Sequence, residues 1–240
     1  MISEALIQQF RTKGYAITPK LLDDESLAMV RDVFARVAAD TRPGDGTPVV
    51  RNNLFPSKLH ARYPEMARFL RHEAFIGLCR QLIGPDADQT WNQAIIKPPR
   101  TGGRFGWHQD AAYEVTKPLD EGFTLWIAIA DTTVDNGTLW VAPSYWSRGL
   151  MPHIWDDKVQ EFQCQFDGSN EPKEKQPVEL KAGQMLIFSR LIPHASGANQ
   201  TDAPRLAYQV GFGPTAIYSS KGELFGDRVP VMRDGKVVEA

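Results

Sequence analysis

The stretch QMLIFSRLIPHASGANQTDAPRLAYQVGF, residues 184–212, carries most of what the chain says about its architecture. QMLIFSRLI is a short apolar run with the length of a buried strand rather than a helix. It ends at Pro193, and His194 follows among Ala195, Ser196 and Gly197, small residues that let another group approach closely. PRLAYQVGF then resumes the strand pattern. Its first charged residue, Arg205, sits among apolar positions, where a lone charge facing a core is expensive and needs a partner.

Working outward, the same grammar recurs from residue 89 onward. QTWNQAIIK, FTLWIAIAD, GTLWVAP and EFQCQF are short, rich in β-branched and aromatic residues, and bounded by Gly, Pro, Asn or Asp. PRTGGRFG, VDNG and DGSNEPKEKQ read as connections. The first third is helical instead. Ile2, Leu6, Ile7 and Phe10 share a face over residues 1–10, GYAIT is a short strand, and Leu27, Val30, Phe34 and Val37 recur at helical spacing after a capping Asp23 or Asp24. TRPGDGTP breaks that helix, and a further helix is expected from about Pro64 to Leu82. Helices first and strands afterwards predict a mainly β protein with flanking helices, built as a sandwich or jelly roll, because no helices alternate with the strands. One domain over residues 1–240 is expected, its helical third packed on a strand core from about 89 to 215.

Composition narrows the function classes. A hydrophobic fraction of 42% and a charged fraction of 23% suit a globular protein, and a formal charge of −2 argues against an electrostatic nucleic-acid binder. Cys79 and Cys164 are far apart and form no disulfide framework, so both are expected to pack as small hydrophobes. No run suggests a signal peptide or a membrane span, and a cytoplasmic protein acting on a small molecule is expected.

The chain holds five histidines. His60 and His72, amid Lys58, Arg62 and Arg71, read as solvated. His153 follows GLMP in a loop. His108 and Asp110 lie two apart in GWHQDAAYE (106–114), so strand periodicity points both side chains the same way. They are either half of a metal site or a hydrogen-bonded surface pair, and the short motif alone does not decide. Two histidines and a carboxylate suit Fe(II) and leave coordination positions open, with His194 able to supply the distant third ligand.

His108-x-Asp110, His194 and Arg205, with HASGANQTDAPR, resemble the phytanoyl-CoA dioxygenase family of Fe(II)/2-oxoglutarate-dependent oxygenases. FRTKGYAITPKLLDDES, IIKPPRTGGRFGWHQD, DNGTLWVAPSYW, ELKAGQMLIFSRLIPHASGAN and FGDRVPVMRDG extend the likeness over nearly the whole chain. The resemblance implies a double-stranded β-helix (a cupin-like jelly-roll barrel), with His108, Asp110 and His194 as iron ligands. It further implies 2-oxoglutarate as co-substrate with Arg205 on its distal carboxylate, Ser196 donating to the same group, and Trp126 and Gln93 lining the co-substrate pocket. O2 would be the oxidant, and a C–H bond of a small organic substrate would be hydroxylated with release of succinate and CO2. Lys97, in IIKPP, matches a recurrent family lysine to which chemistry assigns no role.

APSYWSRG departs from the PGSH-like turn of many relatives, so Tyr145 and Trp146 either wall a pocket or merely pack. Asp110 is present where halogenating relatives lack the carboxylate, which favours hydroxylation. Residues expected at the substrate mouth are Arg51, Asn52, Phe55, Tyr113, Arg148 and His153. The alternatives are a non-oxidative jelly-roll metalloenzyme, such as a hydrolase or isomerase, and a metal-free binding module. Neither needs the carboxylate clamp that Arg205 and Ser196 would form.

Overall fold

The computed structural model describes residues 2–41, 47–155, 164–166 and 171–240. The chain opens with α1 (Glu4–Lys13), which is followed by β1 (Tyr15–Ile17) and α2 (Asp24–Asp40). Asp23 caps α2, its carboxylate accepting from the Ser26 N–H at 2.7 Å and answering one of the free donors at the helix start. The TRPGDGTP segment falls largely outside the described residues. A hairpin of β2 (Val49–Val50) and β3 (Asn53–Leu54) comes next, then α3 (Leu59–Arg62), α4 (Pro64–Phe69) and α5 (Glu73–Leu82). The single helix expected over Pro64–Leu82 is therefore two. The chain turns at Leu70–His72, and the His72 ring nitrogen accepts from the Ala74 N–H to cap α5.

The strand region begins with β4 (Ala87–Lys97), β5 (Phe105–His108), β6 (Thr116–Lys117), β7 (Phe123–Ala128) and β8 (Leu139–Val141). It continues through β9 (Ile154–Trp155), β10 (Cys164–Gln165), β11 (Gln176–Val178), β12 (Met185–Phe188), β13 (His194–Ser196) and β14 (Arg205–Pro214). It ends with β15 (Tyr218–Ser219), β16 (Val229–Arg233) and β17 (Lys236–Val237). The large antiparallel sheet runs β1-β12-β7-β14-β4-β16-β17, with the β2–β3 hairpin joined to β4. A smaller sheet, β11-β8-β13-β5, faces it, giving the jelly-roll arrangement. The strand core extends past the expected limit near 215, because β16 pairs with β4 and β17 with β16.

Apolar residues fill both faces of the large sheet, which is why its strands read as near-continuous runs. In β7, Leu125 and Ile127 pack with Val30, Phe34 and Val37 of α2 in the helix-side cluster. Trp126 and Ala128 point the other way, into a second cluster with Leu139, Val141 and Val178 of the small sheet. β12 divides likewise, with Met185 and Ile187 outward and Leu186 and Phe188 inward. The same two-residue period sets the faces of β14. Tyr208 and Val210 join the helix-side cluster, so Arg205, Ala207 and Gln209 face the space between the sheets. Cys79 and Cys164 are free and buried.

Candidate metal centre and anion clamp

Between the sheets lies a cavity of about 400 Å3, within the size range of small-molecule sites. Along β4, every second residue (Trp91, Gln93, Ile95 and Lys97) lines it, and opposite them on β14 stand Arg205 and Gln209. Strand register orders these groups. Arg205 pairs with Lys97, Gln209 with both Gln93 and Trp126, and Gly211 with Trp91 and Thr124. The cavity thus has a cationic end at Arg205 and Lys97, a middle at Gln209, and a far end at Trp91.

At the middle, His108 closes β5 and His194 opens β13, directly across the ladder from it. Asp110 begins a short 3-10 turn, its side chain swung between the two rings. The Nε2 atoms of His108 and His194 lie 3.7 and 3.5 Å from the Asp110 carboxylate, and one ligand atom from each of the three residues falls within 4.8 Å of the others. Among the described residues this is the His/Asp cluster with metal-ligand spacing. The Nδ1–H of His108 donates to Gly106 O at 2.9 Å and that of His194 to Ile192 O at 3.0 Å. A carbonyl only accepts, so each proton sits on Nδ1 and each Nε2 lone pair is left for a cation. Burial, and then His194, push the His108 pKa well down, which keeps the ring neutral as a metal ligand must be. Burial pushes the Asp110 carboxyl up, opposed by His194 and Arg190. These groups fit a divalent ion without rearrangement of their outer partners.

Gln109, between the two ligands, is fully buried on the opposite side of the strand. Its Nε2 donates to Gly149 O and Leu191 O, its Oε1 accepts from the Met151 N–H, and its own N–H donates to His153 Nε2 at 2.9 Å. His153 therefore stands behind the ligand-bearing strand rather than on the cavity, a correction to its placement at the substrate mouth. The reason is that its other nitrogen bonds Met151 O at 2.7 Å, so the ring is used up as a brace.

At the cationic end, Arg205 is 1% exposed, and its Nε and Nη1 have no hydrogen-bond partner among the described residues. The guanidinium lies over the Trp126 ring at 5.2 Å, and burial lowers its pKa to about 9. The Trp126 Nε1–H is likewise buried and unpartnered. Lys97, also 1% exposed, donates to Gly103 O at 2.5 Å and Gly197 O at 2.7 Å. Burial, and then Arg205, bring its pKa down to about 6. These carbonyls lie on the segments leading into β5 and out of β13, so Lys97 ties together the approaches to both ligand strands. Ser196 lines the same end. Open donors around a buried cation are what an anionic ligand with acceptor oxygens would satisfy.

Gln93 lines the cavity, but its amide donates to Gln209 Oε1 at 3.3 Å, and Gln209 in turn donates to Asp110 Oδ2 at 3.3 Å. Gln209 was not singled out from the sequence, although it lies four residues after Arg205 on the same strand face. Arg190, also missed, lines the cavity four residues before His194. Phe55 and Tyr113 line it as expected residues of the mouth, Tyr113 standing edge-on to His108 at 5.7 Å.

Arg51, Asn52 and Arg148 do not line it. Arg51 and Asn52 are the two-residue turn between β2 and β3, with φ of 48° and 64°, and their side chains are exposed. Asn52 donates to Thr101 O. The Arg148 guanidinium stacks on Tyr145 at 4.0 Å and is exposed. Tyr145 and Trp146 pack rather than wall the cavity, Trp146 lying against Gly14, where a Cβ would come within 2.5 Å of its ring. His60 and His72 are half-buried rather than solvated, because His60 bonds Asn92 and lies near Asp227 while His72 caps a helix.

The sequence pattern of the phytanoyl-CoA dioxygenase (PhyH) family matches residues 10–207, and the chain belongs to that family. Among curated relatives, human peroxisomal phytanoyl-CoA dioxygenase is 26% identical over 219 residues, covering 88% of this chain and 62% of the relative. The chain spans about half the length of the curated relatives it matches. Among solved structures, EvdO2 from Micromonospora carbonacea var. aurantiaca, complexed with 2-oxoglutarate, superposes with a TM-score of 0.76 at 25% identity, covering 91% of this chain and 93% of that one. The epimerase SnoN, in complex with Fe3+, alpha ketoglutarate and nogalamycin RO, has a TM-score of 0.74 at 19% identity over 90% and 85% of the two chains, a likeness of fold. Among the described residues no helix is long and apolar enough to cross a membrane.

Proposed function

We propose that the protein is an Fe(II)- and 2-oxoglutarate-dependent dioxygenase that hydroxylates an unactivated C–H bond of a small organic substrate. The observation that carries this reading is the coexistence, in one cavity, of a His108–Asp110–His194 triad and the unpartnered Arg205 guanidinium. A non-oxidative metalloenzyme uses the triad but leaves the buried arginine without purpose. A metal-free binding module uses neither the paired Nε2 atoms nor their ordered outer partners.

In this reading His108, Asp110 and His194 would hold the iron, a donor set that suits Fe(II). Bound there, Fe(II) with 2-oxoglutarate and O2 would supply the oxidising equivalent and yield succinate and CO2. Arg205 orients the co-substrate by gripping its distal carboxylate through charge-assisted hydrogen bonds, with Ser196 and the Trp126 Nε1–H as further donors. Gln93 acts through Gln209, which holds Asp110 in its orientation. The apolar walls exclude water from the reacting centre. Phe55 and Tyr113 are proposed to border the substrate.

Mixing purified protein with Fe(II) and 2-oxoglutarate without oxygen should give a visible metal-to-ligand charge-transfer band. Its absence in the wild type, or its persistence in His108→Ala, would overturn the oxygenase reading. Succinate release above the uncoupled rate, with one oxygen atom added to the product by mass, would identify hydroxylation against desaturation or ring chemistry.

A further inference from the structure

The far end of the cavity has its own buried cation. β4 and β14 run antiparallel from the Lys97–Arg205 pair to Trp91–Gly211, six residues along, or roughly 20 Å at the usual rise of a strand. The triad is reached at Gln209, four residues along. Beyond it Trp91, Phe225 and Gly226 line the wall, and Arg190 lines it with them. Gly226 is pressed against the backbone of Thr90, where a Cβ would come within 2.1 Å of its carbonyl, so the Phe225 segment is seated directly on β4.

Arg190 is 8% exposed. Its Nη1 donates to Thr116 Oγ1 at 3.0 Å and its Nη2 to Glu114 O at 2.7 Å, while the guanidinium stacks on Phe225 at 4.4 Å. These contacts fix the plane of the group. Its Nε is buried with no partner among the described residues. None of the three contacts neutralises the charge: one partner is a hydroxyl, one a backbone carbonyl and one a ring. The nearest acidic influences are Asp110, Glu114 and Asp120. Asp110 would be taken up by a metal ion at the triad, and Glu114 and Asp120 are exposed. A fixed, buried guanidinium on the cavity wall, with no carboxylate among its hydrogen-bond partners, calls for an anion to offset its charge, as at the Arg205 end.

We propose that this end is the substrate subsite, and that it takes the carboxylate of a small monocarboxylic acid whose apolar body lies against Trp91, Phe225 and Tyr113, toward the triad. The arrangement separates two acids by position. The dicarboxylate is drawn to Arg205, and the monocarboxylate to Arg190, so the two acids approach the triad from opposite ends of the cavity. This assignment rests on the oxygenase reading for which molecule is oxidised, but binding of the acid does not require 2-oxoglutarate, oxygen or turnover.

The test is equilibrium binding to protein loaded with Zn(II), which fills the triad without oxidative turnover, read by intrinsic tryptophan fluorescence, to which Trp91 and Trp126 on the cavity wall contribute. The probes are 3-phenylpropanoate, cyclohexylacetate and octanoate, each compared with its primary amide. At least one acid should bind about tenfold or more tightly than its amide, as expected for charge-assisted hydrogen bonds. That preference should be lost in Arg190→Gln, partly kept in Arg190→Lys, and kept in Arg205→Gln. Acids no tighter than amides, or a preference lost in Arg205→Gln and kept in Arg190→Gln, would overturn the assignment. If Arg190→Gln does not fold, as circular dichroism would report, Arg205→Gln still decides, because a preference that disappears there places the acid at the wrong end. A missing charge-transfer band with Fe(II) and 2-oxoglutarate would sink the oxygenase reading alone. A band with no acid preference would sink this subsite alone.

Discussion

The middle and the cationic end of the cavity lie a few residues apart on the same strands, yet they handle their polar groups in opposite ways. At the middle, the outer nitrogens of His108 and His194 are answered by carbonyls two residues upstream, and Asp110 by Gln209. At the cationic end, among the described residues, Arg205 and Trp126 keep buried donors unanswered and no carboxylate lines that end. A site for a bare cation can be finished in advance, because its ligands need only lone pairs aimed inward. A site for an anion must keep its donors open, and the cost is borne by the ligand-free protein.

The largest expected effect breaks the finished half. Asp110→Ala or His194→Ala should reduce Fe(II) affinity by well over the ~10–100-fold typical of losing an outer-shell partner, and should abolish succinate formation. Metal titration followed by the charge-transfer band checks this. Gln209→Leu should fall within that ~10–100-fold range, since it removes only the donor to Asp110.

Arg205→Met breaks the unfinished half and should separate affinity from stability. Loss of charge-assisted bonds should weaken 2-oxoglutarate binding by about 10- to 100-fold, with the metal alone bound as before. Because the buried charge has no partner without ligand, the variant should be as stable as the wild type or more so. A gain of ~1 kcal/mol would raise Tm by roughly 2–4 °C for a chain of this size. A large loss of Tm in the ligand-free variant would show that Arg205 is structurally paired, and would remove the contrast between the two ends.

The two halves were also unequally legible in the sequence. The fold class followed from runs such as FTLWIA and MLIF, whose apolar residues on both faces match a sheet packed against helices outside and a second sheet inside. The triad was narrowed by chemistry, which restricts metal ligands to a few residue types, and singled out by the family resemblance. Gln209, on a strand, and Arg190, in the turn after β12, were not, since glutamine and arginine are usually surface residues and only the three-dimensional fold brings them near Asp110. Arg51 and Arg148 misled for the converse reason. Their charge suggested substrate contact, but a tight turn and a stack on Tyr145 carry them outward. His153 lay near the site in space, though its lone pair is spent on the Gln109 N–H, a contact between residues 44 apart that no local pattern announces.

Lys97 sharpens the contrast through pH. Its folded pKa, about 6, lies below the ordinary lysine value of 10.5, so between these limits the unfolded chain binds more protons than the folded one. Stability should therefore rise with pH from about 6 toward 10, with a slope of at most ~1.4 kcal/mol per pH unit from this group, and be flat below 6, where both states are protonated. Lys97→Met should remove that rise, read as urea midpoints across the range. If wild type and variant follow parallel pH curves, Lys97 stays charged in the fold, and the cationic end carries two permanent charges rather than one.

The smallest effect concerns the brace behind the metal strand. His153→Ala removes the acceptor of the Gln109 N–H, while the Gln109 side chain keeps its bonds to Gly149, Leu191 and Met151. One neutral hydrogen bond is worth ~1 kcal/mol, and leaving that buried N–H unanswered adds to the loss, so a destabilisation of ~1–3 kcal/mol is expected. If His153 only braces the strand, the KM for 2-oxoglutarate should hold while Fe(II) affinity and kcat fall together by a few-fold. The ring accepts only when Nε2 is unprotonated, and burial holds its pKa below the ordinary value of 6.5. The brace should thus persist at neutral pH and fail only in acid, where wild type and His153→Ala should converge in stability. A His153→Ala protein with unchanged metal affinity and a raised KM for the substrate would instead return His153 to the mouth of the cavity.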